Sequence, residues 1–188
     1  MRKLLILLPL LILPVSAFAQ GTPKVEVFGG YSNLISNFTN SSIDMNGVNL
    51  AVQENLNSWF GGVLDFSTHF GSENQSVTGL SGTTTTSFRV NTQSVTYGPV
   101  FSYRKSHTVT PFGHAMVGAV RGGPDYLGIS RGEVRFGVYA GGGLDVKVSP
   151  MISLRLIQAD YLMTRFSGAR QDNIRLSAGI VLRLGKKK

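Results

Sequence analysis

From Tyr139 to Leu184 the chain alternates between apolar side chains and small or charged ones, and this period of two constrains the fold more than any other feature. Ala140, Gly142, Leu144, Val146 and Val148 share one face of an extended run, and Gly141, Gly143, Asp145 and Lys147 share the other. Ser149-Pro150-Met151 breaks the run as a short turn does. Beyond it Ile152, Leu154 and Leu156 alternate with Ser153 and Arg155. The phase slips between Leu156 and Ile157, and Ala159, Tyr161 and Met163 then carry the apolar face. One extra residue at such a slip is what a β-bulge inserts. The last run is the most regular: Ile174, Leu176, Ala178, Ile180, Leu182 and Leu184 against Arg175, Ser177, Gly179, Val181 and Arg183.

A soluble sandwich and a membrane barrel both alternate, and a soluble lipocalin-like barrel is the competing fold, so the period alone does not say which face meets what. The composition of the two faces does. A solvated sheet face carries Lys, Glu and Thr, whereas the polar face here carries Gly, Ser and Ala beside a few Arg and Asp. Small residues beside paired ions suit a narrow lumen, and an apolar face free of charge along whole strands suits lipid.

Met1-Arg2-Lys3, the apolar run Leu4 to Val15 and Ala17-Phe18-Ala19 ahead of Gln20 have the form of a cleaved secretory signal peptide, residues 1–19. The run falls short of the roughly 20 residues that a helical span needs, and Pro9 and Pro14 interrupt it. The expected mature domain, residues 20–188, keeps 16 basic against 10 acidic residues once Arg2 and Lys3 are removed, a net +6. With 0 cysteines, disulfides and thiol chemistry are excluded, and the 23 glycines suit a tightly curved sheet. There is no second long apolar run, so any span must be made of strands.

Eight extended runs are expected: Val25 to Tyr31, Val48 to Gln53, Trp59 to Thr68, Val90 to Arg104, Val109 to Arg121, Val134 to Val148, Ile152 to Arg165 and Ile174 to Leu184. The facing of the fifth is not fixed by its pattern. Pro99 cannot donate to a ladder, so a bulge or a missing bond is expected there. The connections read as loops at Ser32 to Gly47, Gly71 to Arg89 and Gly122 to Gly132, with a shorter one near Phe166 to Asp172. They alternate with tight turns, the asymmetry of a barrel with short periplasmic turns and longer outer loops. Tyr31, Trp59, Phe70, Tyr103, Phe112, Tyr126, Phe136, Tyr161 and Phe166 lie near run ends, where interfacial girdles would place them.

The opening V-E-V-F-G-G-Y-S (Val25 to Ser32), G-G-V-L-D-F-S (Gly61 to Ser67), P-F-G-H-A (Pro111 to Ala115), F-G-V-Y-A-G-G-G-L-D-V (Phe136 to Val146) and I-S-L-R-L-I-Q-A-D-Y (Ile152 to Tyr161) resemble the small bacterial outer-membrane β-barrel proteins. They are similar in architecture to the barrel domain of outer membrane protein A and to outer membrane protein X. The resemblance covers essentially all of residues 20–188. It implies an all-β fold, an eight-stranded antiparallel up-and-down transmembrane barrel in the bacterial outer membrane. As partners it implies outer-membrane lipid and lipopolysaccharide, with the barrel-assembly machinery and periplasmic chaperones acting during biogenesis. The chain departs from many such barrels in ending Leu182-Arg183-Leu184-Gly185-Lys186-Lys187-Lys188 rather than on an aromatic residue. It is expected to carry no peptidoglycan-binding domain after the barrel.

The alternation sends Glu26, Asp65, Asp145 and Asp160 inward together with Arg104, Lys147, Arg155, Arg175 and Arg183. Buried ions are costly unless paired, so a salt-bridged network that plugs the lumen is expected. The expected role is structural, or surface interaction with an extracellular ligand through the loops; the alternative is a small porin-like pore for ions or small solutes. An outer-membrane enzyme is the third reading. Its candidate is His69, beside Ser67 and Thr68 with Glu73 close by, but no motif fixes a nucleophile next to a base and the chain is expected not to be an enzyme. His107 falls in a periplasmic turn, and His114 is expected to be a hydrogen-bonded lumen residue. No ligand spacing among His, Asp and Glu suggests a metal, no cofactor is implied, and a secreted barrel does not meet nucleic acid. Lys186 to Lys188 are expected at lipid headgroups or the cell wall.

Overall fold

Antiparallel pairing runs from each strand to the next and then from the last back to the first. The computed structural model describes residues 21–38, 41–79, 82–126, 129–130, 133–166 and 169–185; the expected leader and Lys186 to Lys188 lie outside them. The strands are β1 (Val25–Phe38), β2 (Ser41–Asn55), β3 (Phe60–Gly79), β4 (Gly82–Ser102), β5 (Val109–Tyr126), β6 (Ile129–Ser130), β7 (Glu133–Lys147), β8 (Ile152–Phe166) and β9 (Ala169–Leu184). β1 meets β9 from Val25↔Leu184 to Ser36↔Asn173, which closes the sheet. The two residues of β6 pair with Asp125 and Tyr126 in the register that Gly122↔Glu133 sets, so β6 and β7 form one stave. The result is a closed, up-and-down barrel of eight staves.

The alternation sorts side chains as a membrane barrel requires. Leu50, Val52, Leu64, Phe66, Val95, Val117, Leu154, Ile180 and Leu182 are exposed on the outer wall. Asp65, Arg155, Asp160 and Arg175 are buried inside. A soluble barrel would do the reverse. The unassigned stave, β5, turns Phe112, His114, Met116 and Val120 inward. The lumen is not purely polar. Leu34, Met45, Met116, Val120 and Leu162 are also buried within it, since an eight-stranded interior is narrow enough for side chains to fill.

The turns at the end that holds both Lys24 and Leu184 are held by side chains. Asn57 Oδ1 accepts from the amides of Trp59 (2.9 Å) and Phe60 (2.7 Å). Ser106 Oγ accepts from Thr108 and Val109, and Ser149 Oγ from Met151 and Ile152. These are the local bonds that make Asn and Ser good turn residues.

At the other end the expected loops are mostly strand. β3 and β4 stay paired up to Thr78↔Thr83 and Gly79↔Gly82, and β1 and β2 up to Phe38↔Ser41. Ser32 to Gly47, Gly71 to Arg89 and much of Gly122 to Gly132 and Phe166 to Asp172 are therefore hairpin extensions of the barrel wall. Beyond the bilayer both faces of a hairpin are wet, so the apolar half of the alternation disappears while backbone pairing continues. Thr83 to Thr86, read as loop, are β-branched residues that suit a strand.

Tyr31, Phe70, Phe136 and Tyr161 are exposed towards the hairpin end, and Trp59 and Tyr103 towards the turn end. Trp59 stacks on Phe101 at 6.0 Å between ring centres, and Phe60 tilts against Phe101 at 5.3 Å. The tyrosine hydroxyls at the hairpin end reach polar partners, Tyr31 to Asn46 and Tyr161 to Asp172. Phe112 departs from the expectation. It has even parity on β5 and packs in the lumen, so it belongs to no girdle. The side chains of Tyr126 and Phe166 lie outside the described set.

Two irregularities fall where the sequence places them. The β4–β5 ladder skips from Tyr97↔Val117 to Val100↔His114, leaving Pro99 without a β5 partner and the register unchanged. This is the missing bond rather than a bulge. On β8 the register shifts between Arg155 and Gln158 against β9, and at Leu144/Asp145 against β7, so Leu156 and Ile157 both face out.

Candidate functional site in the lumen

The bulge on β8 decides which side chains enter the lumen. Without it Arg155 would share its face with Ile157 and Ala159; with it Arg155 is followed inward by Gln158 and Asp160. Asp160 lies opposite Arg175 on β9, and Arg155 opposite Asp145 on β7. Two cross-strand ion pairs thus follow from register.

The upper cluster centres on Arg175, whose side chain is 0% exposed. It donates to Asp65 across the barrel (Nη1–Oδ1 2.7 Å) and to Asp160 beside it (Nε–Oδ2 2.9 Å, Nη2–Oδ2 2.7 Å). Its guanidinium carbon lies 4.8 Å from the centre of the Tyr139 ring. Asp65 also accepts from Asn49 Nδ2 at 2.8 Å, and Asp160 from Gln158 Nε2 at 2.7 Å and His114 Nε2 at 2.7 Å. Charge-assisted bonds of this kind are roughly twice as strong as neutral ones.

His114 and Asp160 sit on strands separated by β7. They meet because the residue between them, in the row His114↔Gly141↔Asp160, is a glycine. A Cβ on Gly141 would stand 2.2 Å from Asp160 Oδ1. Gly143 opens the same kind of window for the ring of Phe112, which a Cβ there would meet at 2.8 Å.

The second cluster lies nearer the turns. Arg155 donates Nε to Asp145 Oδ1 (2.8 Å), Nη2 to Asp145 Oδ2 (3.0 Å) and Nη1 to Gln158 (2.6 Å). Its guanidinium is held between the rings of Phe28 at 4.4 Å and Phe112 at 4.1 Å. Such stacking suits arginine's weakly hydrated plane. Gln158 thus joins the two clusters.

A third group closes the turn end. Arg104 donates Nη2 to Glu26 (2.5 Å) and Asn55 (3.1 Å) and Nη1 to the carbonyl of Ser58 (3.1 Å). Arg183 lies 3.6 Å from the other oxygen of Glu26. Lys147 also faces the lumen mouth, where it lines a cavity with Arg104 and Arg183. Among the described residues Lys147 has no ion-pair partner. The nine ions expected inside therefore divide into two paired clusters and a mouth group in which Lys147 stands apart.

His69 does not sit on an outer rim. It is buried in the lumen with Nε2 2.9 Å from Ser32 Oγ, which in turn bonds Ser177 Oγ at 2.9 Å. Ser67 bonds Ser94 instead, at 2.7 Å. β3 runs on to Gly79, so His69 lies partway along a strand rather than at its end. The side chain of Glu73 lies outside the described residues. His107 is exposed in the turn before β5. Asn49, Gln158, Tyr139 and Phe28 were not among the expected site residues. Parity with Gln53, the phase after the bulge, and parity with Gly141 and Glu26 respectively would each have pointed inward.

A search by sequence against curated proteins finds no match. The family model described as the outer membrane protein beta-barrel domain matches residues 5–181. Among solved structures, Neisserial surface protein A superposes with a TM-score of 0.72 at 14% identity, covering 88% of this chain and 100% of that one. The outer membrane protein OprG from Pseudomonas aeruginosa gives 0.61 at 10% identity, covering 88% and 97%. Ail, the attachment invasion locus protein of Yersinia pestis, in complex with the heparin analogue sucrose octasulfate, gives 0.57 at 20% identity, covering 85% and 99%. At these identities the likenesses speak for the fold. With its lipid-facing wall and closed ladder, this chain is a barrel of the bacterial outer membrane and belongs to the outer membrane protein β-barrel domain family.

Proposed function

We propose that this protein is an occluded outer-membrane barrel with a structural or surface-interaction role, its lumen plugged by the ion-pair network and its hairpins presented outside the cell. The observation that carries the reading is Arg175, fully buried and bonded at once to Asp65 from the far wall and Asp160 from the adjacent strand. A side chain so held bridges the lumen at mid-height. Leu34, the register partner of Arg175 on β1, is buried as well, as are Met45 and Leu162. A path for solutes would have to break charge-assisted bonds in a setting of low dielectric.

The hairpins supply the outward surface. β3 continues from Phe70 in the outer girdle to Gly79, a reach of about 30 Å at roughly 3.3 Å per residue. An extracellular ligand would be met there rather than in the lumen. Residues 1–19 are proposed to be removed on export, and the barrel-assembly machinery and periplasmic chaperones to deliver the chain; the intact mass of protein extracted from outer membranes tests the cleavage.

The test of the reading is single-channel recording of the purified barrel in planar lipid. Occlusion predicts no stable conductance for the wild type and an opening in Arg175→Ala. A steady ohmic conductance in the wild type would replace this reading with that of a small pore.

A further inference from the structure

The network leaves one group of charges only partly answered, at the turn end of the lumen. Arg104, Lys147 and Arg183 line a cavity of about 280 Å³ together with Thr110 and Ser106. Glu26 is the carboxylate that serves this group. It pairs with Arg104 at 2.5 Å and, more loosely, with Arg183 at 3.6 Å. The next carboxylate up the lumen, Asp145, is held in a two-pronged pair by Arg155. Arg104, Lys147 and Arg183 thus face the cavity beside His107, and Glu26 is the carboxylate that answers two of them.

The donors are placed for a ligand as well as charged. The Arg104 side chain is 10% exposed, fixed to Glu26, Asn55 and the Ser58 carbonyl by its two terminal nitrogens. Its Nε is buried and has no hydrogen-bond partner among the described residues. Lys147 projects inward from the end of β7 with no ion-pair partner among them. The pair between Arg183 and Glu26 is too long for a hydrogen bond. Uncommitted donors on Lys147 and Arg183 and a surplus of two positive charges suit a phosphate group, as a dianionic monoester or a monoanionic diester, and planar guanidinium forks suit tetrahedral oxyanions in particular.

We infer that the periplasmic mouth of the barrel is a binding site for a phosphate group, held by Lys147 and Arg183 with Arg104 as the fixed wall. The inference is independent of whether the lumen conducts, because the site lies below the plug formed by Arg155 and Arg175. The phosphate has two available sources: a soluble phosphorylated solute, or the headgroup of a phospholipid in the periplasmic leaflet.

The experiment uses the full mature barrel, folded in uncharged detergent, with inorganic phosphate and glycerol 3-phosphate titrated by calorimetry. The same protein is placed in nanodiscs of an uncharged glycolipid with or without phosphatidylglycerol, and the side-chain nitrogen signals of Arg104, which every variant keeps, are read. The proposal expects saturable binding with Kd below about 1 mM in one of the two arms. It expects a loss of at least tenfold in Lys147→Gln and no saturable binding in Lys147→Gln with Arg183→Gln, while Lys105→Gln, outside the cavity, leaves binding unchanged. Binding in the soluble arm identifies a solute; a response confined to phosphatidylglycerol nanodiscs identifies the lipid. Lys147 pairs with no carboxylate among the described residues, so its replacement spares the folding network and keeps the test clean. No saturable response in either arm, or one unaltered by the Lys147 and Arg183 replacements, overturns the proposal.

Discussion

Asp145 and Arg155 face each other across the β7–β8 ladder in a two-pronged ion pair, with Nε–Oδ1 at 2.8 Å and Nη2–Oδ2 at 3.0 Å. The pair forms only because the register shifts at this point, between Leu144 and Asp145 on one strand and around Leu156 on the other. Asp145→Ala leaves the Arg155 guanidinium between two phenyl rings with Gln158 as its remaining polar partner. The expected cost is about 3–5 kcal/mol, the penalty for stranding one member of a buried pair. Urea titration of the folded barrel in detergent or lipid vesicles reads it directly, and a shift near zero would show that the arginine finds water.

Arg175 tests the same idea from the cationic side. Arg175→Met takes the shared arginine from Asp65 and Asp160, leaving Asn49 on the one and Gln158 and His114 on the other, and a loss of about 3–5 kcal/mol is expected. Replacing all three, as Asp65→Asn, Asp160→Asn and Arg175→Met together, removes the stranded charges. The triple variant is expected to be more stable than Arg175→Met alone. If it is less stable, the ions act through something other than their mutual compensation.

The inverted wall gives a prediction opposite to that for a soluble protein. Ile180 is exposed on β9, opposite Gly29 and Leu154 and set in from Leu184, the end of the strand. Ile180→Arg is expected to cost about 2–4 kcal/mol in a bilayer, the range for a cation near the midplane on the lipid face. Moved to Leu184, at the periplasmic end of β9, the same substitution is expected to cost no more than about 1 kcal/mol. Equal effects at the two positions would contradict the depth assigned to the wall.

Gly141 is the window through which His114 reaches Asp160. Gly141→Ala places a methyl group 2.2 Å from Asp160 Oδ1 and 2.3 Å from the carbonyl of Ala159. The backbone oxygen cannot move aside cheaply, so about 1–3 kcal/mol of overpacking strain is expected. The histidine ring signals of the variant, compared with those of wild type by NMR, report whether the His114–Asp160 bond breaks as well.

The strands legible in the sequence are those whose environment is two-sided. Leu182 and Arg183, or Val146 and Lys147, sit between lipid and lumen, and each environment stamps its own chemistry on alternate positions. The slip at Leu156 was visible for the same reason, because an extra residue reverses that stamp. Along Gly71 to Arg89 the sequence has no apolar alternation to mark a strand, although the backbone of β3 and β4 stays paired there. Phe112 misled because an aromatic residue close to a strand end serves a girdle or a lumen equally well, and β5, with Gly113, Ala115, Gly118 and Ala119, offers few large neighbours to fix its phase. His69 misled because its place depended on where β3 ends. The pairings across the lumen, Asp65 with Arg175 above all, depend on the stagger of strands three apart, which no local pattern carries.

The ladder between β1 and β9 joins Val25 to Leu184, so the hydrogen bonds that complete the cylinder link segments at opposite ends of the domain. Until they are made, both outermost strands present bare amides and carbonyls, which hydrocarbon does not tolerate. Insertion and sealing therefore have to be nearly concerted, and that seam, formed across the longest separation in the domain, is expected to be the slowest contact to arrive. An agent that caps the free edge of β9 before it finds β1 would hold the protein outside the bilayer without touching a single residue of the lumen.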